Sequence, residues 1–267
     1  MAIDSHIQIP KSILKKFSIP ENEFKNNLRI KHNYVYSIDM SGQIIKKDIK
    51  DCNVMFGYFD DEVEQKIIKK YEDSIGEIKK KIFAFTKAKT IQLTPADNER
   101  VKEFLVTTLL RSPEMVKNYC NHSFTWFLFS NPPQNHLLYE YENYKKELNK
   151  MFQDYQLNIF VNKTKVNFII PQLCFYDVRW SNKQTMYVFP ISTNIAITLN
   201  QNIEDYIAED GVLEYQTTMD KAVIHKFNKS AIATEYNINK QNIYAKEEYD
   251  LKQYLPYLKE ISQGENL

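Results

Sequence analysis

The chain has 267 residues, 43% of them hydrophobic and 26% charged, with 35 Lys and Arg against 34 Asp and Glu. A formal net charge of +1 excludes a global electrostatic pull toward nucleic acid or anionic membrane, so such binding must be local. The aromatic content, 18 Tyr and 16 Phe, excludes the weakly hydrophobic, highly charged signature of disorder. A chain of this length buries about three-quarters of its unfolded surface, enough for one large core.

In chain order, "HIQIPKSILKKF" (6–17) reads as a short helix begun at Pro10, whose missing N–H costs nothing in a first turn. "NYVYSIDMSGQIIKKDI" carries two apolar runs around Ser41-Gly42, a hairpin with strands near 33–38 and 43–49. Phe59, Val63, Ile67, Tyr71, Ile75, Ile78, Ile82 and Phe85 recur every three or four residues, which predicts a long amphipathic helix. Asp60, Asp61, Glu62 and Glu64 sit at its positive end and Lys79, Lys80 and Lys81 at its negative end, matching the helix dipole.

Thr94 before Pro95 is a candidate N-cap for a helix that runs to Arg111. Pro113 then disfavours helical geometry at Ser112, placing a break beside that arginine. A second helix is expected to about Phe129, where "SNPP" stops it, and another over 135–155. From about 156 the segments "LNIFVNKTKVNFII", "CFYDVRW", "TMYVFPI" and "NIAITLN" are short and rich in β-branched or aromatic residues, a small antiparallel sheet. Helices over about 217–236 and 246–260 close the chain.

Helices in one run and strands in another argue for an α+β fold. The expected architecture is an N-terminal β-hairpin and long-helix bundle packed with a small, mainly antiparallel sheet. It forms a single domain over 1–267, with a mainly helical lobe (1–155) and a lobe of sheet and C-terminal helices (156–267).

Chemistry-bearing motifs are sparse. There is no GxGxxG, GxxxxGKS or GxSxG among only five glycines, and no motif names a cofactor. The histidines at 6, 32, 122, 136 and 225 include no HxxxH pair, so no metal site is read from them. Cys52, Cys120 and Cys174 are odd in number and far apart, which fits reduced thiols in the cytoplasm. No signal segment or apolar span of membrane length is present, so no membrane association is expected.

Two isolated positions stand out. An acid facing inward from the long helix would be Glu64 or Glu72. Arg111, after Leu109-Leu110, has a stem suited to packing and a fork suited to a carboxylate or phosphate, so it reads equally as an internal salt bridge or a binding group. "KKKIFAFTKAK" and "HSFTWFLF" read as core aromatics before they read as stacking surfaces for nucleic acid.

In this order the segments resemble the bacterial DUF4238 family. "HIQIPKSILKKF" is similar to its His-x-x-Pro opening, "VYSIDMSGQI" to its tyrosine-bearing strand pair, and "FGYFDDEVEQKIIKKYE" to its tyrosine followed by glutamates. "FLVTTLLRSP" resembles its Arg-Thr-Pro segment, while "VFPIS" and "FNKSAIATEYNI" resemble its Phe-Pro-Leu-Ser strand and Asn-bearing late helix. The resemblance spans nearly the whole chain and groups His6, Tyr58, Glu64, Arg111 and Asn228 into one candidate set. Where the family has a Ser/Thr-Asp-Asn-Pro turn, this chain reads "FIIPQLCFYD", leaving Asp177 as the nearby acid.

The resemblance implies no established activity. A histidine, a carboxylate and an arginine suit phosphate chemistry, with His6 as acid/base, Glu64 orienting it or holding a metal, and Arg111, Tyr58 and Asn228 contacting substrate. The ligand would then be a nucleic acid or nucleotide. The other expectation is a noncatalytic module with an internal polar network, meeting a protein partner through Trp126 or Trp180.

Overall fold

The computed structural model describes residues 4–6, 8–25, 28–56, 58–88, 93–122, 133–140, 150, 152–180, 184–201 and 215–264. Helices and antiparallel sheets are combined in an α+β arrangement.

At the start of the chain β1 (Asp4–His6) pairs antiparallel with β5 (Val54–Phe56), His6 opposite Val54. The helix expected over 6–17 is therefore shorter. It comprises α1 (Lys11–Leu14) and a 3-10 turn (Lys15–Phe17), with Pro10 at the N-cap. Pro10 forces the residue before it toward extended geometry, which keeps helix from reaching back to His6. Ile13, Leu14 and Phe17 are fully buried.

The hairpin appears as β3 (Leu28–Ile38) and β4 (Ile44–Asp48). Its turn carries Gly42 at φ +87°, and the Asp39 carboxylate accepts from Ser41 N, Ser41 Oγ and Gln43 N at 2.9, 2.6 and 3.0 Å. Opposite β4, the other edge of β3 holds β2 (Ile19–Lys25) and then β12 (Ile243–Ala245), which also pairs with β7 (Ile170–Pro171). This sheet thus draws strands from both halves of the chain. A second sheet runs β11-β6-β10-β9-β8, built from β6 (Tyr155–Asn162), β8 (Tyr176–Arg179), β9 (Thr185–Pro190), β10 (Ile195–Gln201) and β11 (Tyr215–Thr218). It is antiparallel except for β11, which lies parallel to β6.

The long helix is interrupted. After α2 (Asp61–Val63) come a π turn (Glu64–Ile68) and α3 (Lys69–Ala88). Wider winding shifts the buried face by one residue, so Ile68 is fully buried while Ile67 is only half-buried. Val63, Tyr71, Ile75, Ile78 and Ile82 are buried as the spacing predicts. Thr94 caps α4 (Pro95–Leu110) in a reciprocal box with Asp97, and Lys81 reaches the Asp97 carboxylate at 2.8 Å, tying α3 to α4.

Then come α5 (Pro113–His122), α6 (Pro133–Tyr139) and α7 (Lys221–Thr234), the last extended by a π turn (Glu235–Asn239). Phe124, Trp126 and Phe129, and most of the helix expected over 135–155, lie outside the described residues. Strand β11 occupies the start of the helix expected over 217–236. The final expected helix divides into α8 (Glu248–Lys252) and α9 (Leu255–Ser262) at Gln253-Tyr254. Stacked rings of Phe104 and Phe189, centroids 5.4 Å apart, join α4 to the second sheet, and Phe227 of α7 packs against Phe160 at 5.0 Å. No helix among the described residues is long and apolar enough to cross a membrane.

Candidate functional site

Helix α4 ends beside the most buried cation among the described residues. Arg111 donates its backbone N–H to the Thr107 carbonyl at 3.1 Å, and Ser112-Pro113 turn the chain into α5. The Arg111 side chain therefore points into the protein, at 1% exposure. Its Nη1 donates to Glu72 Oε1 at 3.3 Å and its Nη2 to the Gln8 carbonyl at 3.1 Å. Tyr58 Oη donates to the Arg111 carbonyl at 3.4 Å, and the Gln134 amide donates to the Tyr58 carbonyl. Of the guanidinium nitrogens, Nε alone has no partner.

Burial pushes the Glu72 carboxyl up against the opposing pull of Arg111, and the Glu64 charge pushes it further. Burial likewise raises the Tyr58 phenol and the Cys174 thiol, both of which feel the Arg111 charge.

A neutral and acidic hub adjoins the arginine. Gln8 and Asn239 exchange amide hydrogen bonds at 3.2 Å in both directions. Ser112 Oγ donates to Asn239 Oδ1 at 2.8 Å, and Asn239 Nδ2 donates to Glu235 Oε1 at 2.6 Å. Glu235, fully buried, also accepts from Gln241 N at 3.0 Å and Leu173 N at 2.9 Å. Desolvation lifts its carboxyl to about 7, with these N–H donors pulling the other way.

The backbone bends to build this hub. Both π turns open on a glutamate, Glu64 and Glu235, and turns of this kind gather at functional or strained sites. The left-handed residues Asn53 (φ +55°), Cys174 (φ +78°) and Lys240 (φ +54°) border the same region. With its amide oxygen turned inward, Asn53 accepts from Gln8 N and Ile9 N at 3.0 and 2.7 Å. Lys240 N closes the second π turn on the Glu235 carbonyl at 2.6 Å.

The structure brings Arg111 and Tyr58 together and supplies Glu72 as the carboxylate that pairs with the arginine. Glu64 is half-buried at the head of the first π turn, near enough to Glu72 to raise its pKa. His6 stands two residues before Gln8, whose carbonyl holds Arg111; its side chain lies outside the described residues. Asn228 belongs elsewhere, about 15 Å along α7 from Asn239. Its Oδ1 accepts from Ile169 N at 3.2 Å, and its Nδ2 donates to the Asn167 carbonyl at 2.8 Å and to Tyr254 Oη at 2.9 Å.

Asp177 accepts from Thr234 Oγ1 at 3.2 Å and pairs with Arg179 at 3.4 Å. Trp180 is half-buried against Phe227, and Trp126 lies outside the described residues. Sequence reading missed Gln8, Glu235 and Asn239. The signal available was their place inside the segments "HIQIP" and "ATEYNIN", but neutral amides announce no chemistry until their partners are known.

No family model, curated protein or solved structure matches this chain. Among the described residues no group of three or more His, Cys, Asp and Glu side chains could hold a metal ion. What the arrangement does chemically is join distant segments: 231 residues separate Gln8 from Asn239, and 103 separate Gln8 from Arg111.

Proposed function

We propose that the chain is a noncatalytic binding module in which the Gln8, Glu72, Arg111, Ser112, Glu235 and Asn239 network is an internal interlock. The supporting observation is the guanidinium of Arg111, 1% exposed, with both terminal nitrogens committed to Glu72 and Gln8. An arginine that clamps substrate phosphate must offer its fork to the ligand, whereas this fork is turned inward. Free thiols at Cys52, Cys120 and Cys174 support a reducing, cytoplasmic setting. The resemblance to the DUF4238 family remains part of the same proposal.

One observation favours the enzymatic reading, in which His6 and Glu64 act on a phosphate-containing substrate held by Arg111, Tyr58 and Asn228. The buried Arg111 Nε has no acceptor, and a buried donor of that kind is a place where a ligand oxygen gains a full hydrogen bond. The purified chain, incubated with nucleotides, phosphomonoesters and nucleic acids with and without divalent cations, separates the two. The module reading expects no turnover. Turnover abolished by Glu64→Gln, with an unchanged circular dichroism spectrum and melting temperature, would establish the enzyme.

A further inference from the structure

A groove of about 530 Å³ runs along the outer face of α7, with Tyr257 of α9 as its far wall. That volume lies within the range of small-molecule sites, about 300–1,000 Å³. The α7 residues that line it, Ala222, His225, Lys226, Lys229, Ser230 and Ala233, are spaced by three and one and so share one face of the helix. Alanines at both ends leave room between the polar groups.

Among the described residues no acid of α7 pairs with the lysines of this face. Several lysines on other helices meet acids three or four residues away, as in Lys66 with Glu62, Lys80 with Glu77 and Lys252 with Glu248. Around Lys226 and Lys229 the corresponding positions hold Ala222, Val223, His225, Ser230, Ile232 and Ala233, none of them acidic. Each ammonium instead lies over a ring, Lys226 4.2 Å from the Trp180 centroid and Lys229 4.9 Å from that of Tyr257. Among the described residues neither lysine has a carboxylate in ion-pair range.

The third polar group is held from behind. Asn228 Nδ2 donates to Tyr254 Oη at 2.9 Å, and the same oxygen lies 2.8 Å from His225 Nδ1. We assign the Tyr254 hydroxyl as the donor in this bond, which leaves the His225 Nε2–H free to donate into the groove. Asn228 is itself fixed by Asn167 and Ile169. It is thus a positioning residue two hydrogen bonds removed from the groove.

We propose that this groove binds a nucleoside phosphate, its phosphate held by Lys226, Lys229 and His225 and its base lying against Tyr257. Two ammoniums and an added N–H donor suit a dianionic phosphate better than a single carboxylate, and the aromatic wall and the volume call for an attached ring. The site stands apart from Arg111 and does not depend on whether that arginine is structural or catalytic.

Isothermal titration calorimetry of the full chain with adenosine monophosphate, adenosine, inorganic phosphate and a ten-residue oligothymidylate tests it. The mononucleotide is expected to bind more tightly than phosphate or adenosine alone. Lys229→Glu, at an exposed position, and Lys226→Gln are each expected to weaken it about tenfold, while Lys80→Gln, at an exposed lysine of α3 paired with Glu77, leaves it unchanged. Tyr254→Phe is expected to weaken binding and to shift the His225 imidazole nitrogen resonances as the tautomer is released. No mononucleotide binding at millimolar concentration, or binding indifferent to both lysine variants, overturns the proposal. Phosphate binding as tightly as the mononucleotide, or the oligonucleotide binding more tightly than both, overturns it in favour of a simple anion patch or a nucleic-acid surface.

Discussion

Replacing Arg111 with methionine keeps most of the packed stem and deletes the guanidinium, and so isolates the interlock. Two interactions vanish, the 3.3 Å pair with Glu72 and the 3.1 Å bond to the Gln8 carbonyl. Removing one member of a buried pair costs about 3–5 kcal/mol because the other charge is left behind. Glu72 retains 28% side-chain exposure, and water at that edge places its share at the lower end, about 3 kcal/mol. The Gln8 carbonyl, on a residue with no exposure, adds about 1 kcal/mol or more for a lost hydrogen bond. Urea unfolding followed by circular dichroism should therefore show a loss of about 4 kcal/mol near neutral pH.

The loss should also depend on pH. Burial already raises the Glu72 carboxyl in the folded chain against the pull of Arg111, and losing the arginine raises it further. The folded variant then holds a proton that the unfolded chain has released. Its deficit is smallest at acid pH, where both states are protonated, and grows as pH rises through the raised value. A deficit below about 1 kcal/mol, or a larger one that is flat from acid to neutral pH, would refute the interlock.

Glu235 gives a related signature from its own carboxyl, raised from 4.5 to about 7. Between those values the unfolded chain ionises first, so wild-type stability falls by about 3 kcal/mol as pH rises; Glu235→Gln should flatten that slope in melting temperature against pH. Thr94→Ala removes the side-chain half of the α4 capping box and should cost about 1 kcal/mol in urea unfolding. Burial raises the Cys52 thiol to about 12 and the Cys174 thiol well above its ordinary value. A thiol reagent should accordingly label Cys120 rapidly in the folded chain and reach the other two only after denaturant is added.

The sequence disclosed most where local chemistry decides structure. The acidic head and lysine-rich end of the long helix, the Thr94 cap and the Gly42 turn each follow from neighbours a few residues away. The π turn at Glu64 escaped because apolar spacings of three and four carry no mark of one wider turn, and Ile68 takes the place expected of Ile67. Strand β2 escaped because Pro20 and three polar or acidic residues hide it, a pattern tolerated at a sheet edge.

At the site, Arg111 was legible as an arginine with a packed stem because it follows two leucines at a helix end, though equally as a salt bridge or a binding group, and Glu72 was one of two acids expected to face inward. Gln8, Glu235 and Asn239 were not legible, since their meaning lies in contacts across most of the chain. Asn228 was singled out for contact with a ligand. In the structure its amide is spent on Asn167, Ile169 and Tyr254, and it shapes His225 from behind.

Strand β12 bears on how the chain is made. Three residues, Ile243–Ala245, fill the place between β3 and β7, so the hairpin waits for a segment made much later, its Ser37 and Asn242 contact spanning 205 positions. Such long-range closure slows folding. Until it is complete, the inner edge of β3 around Tyr36–Ile38 offers unpaired backbone groups to any passing strand. Nascent or truncated chains that stop short of Ile243 should accordingly be clients for chaperones and prone to edge-to-edge aggregation, while the finished chain seals that edge with its own strand.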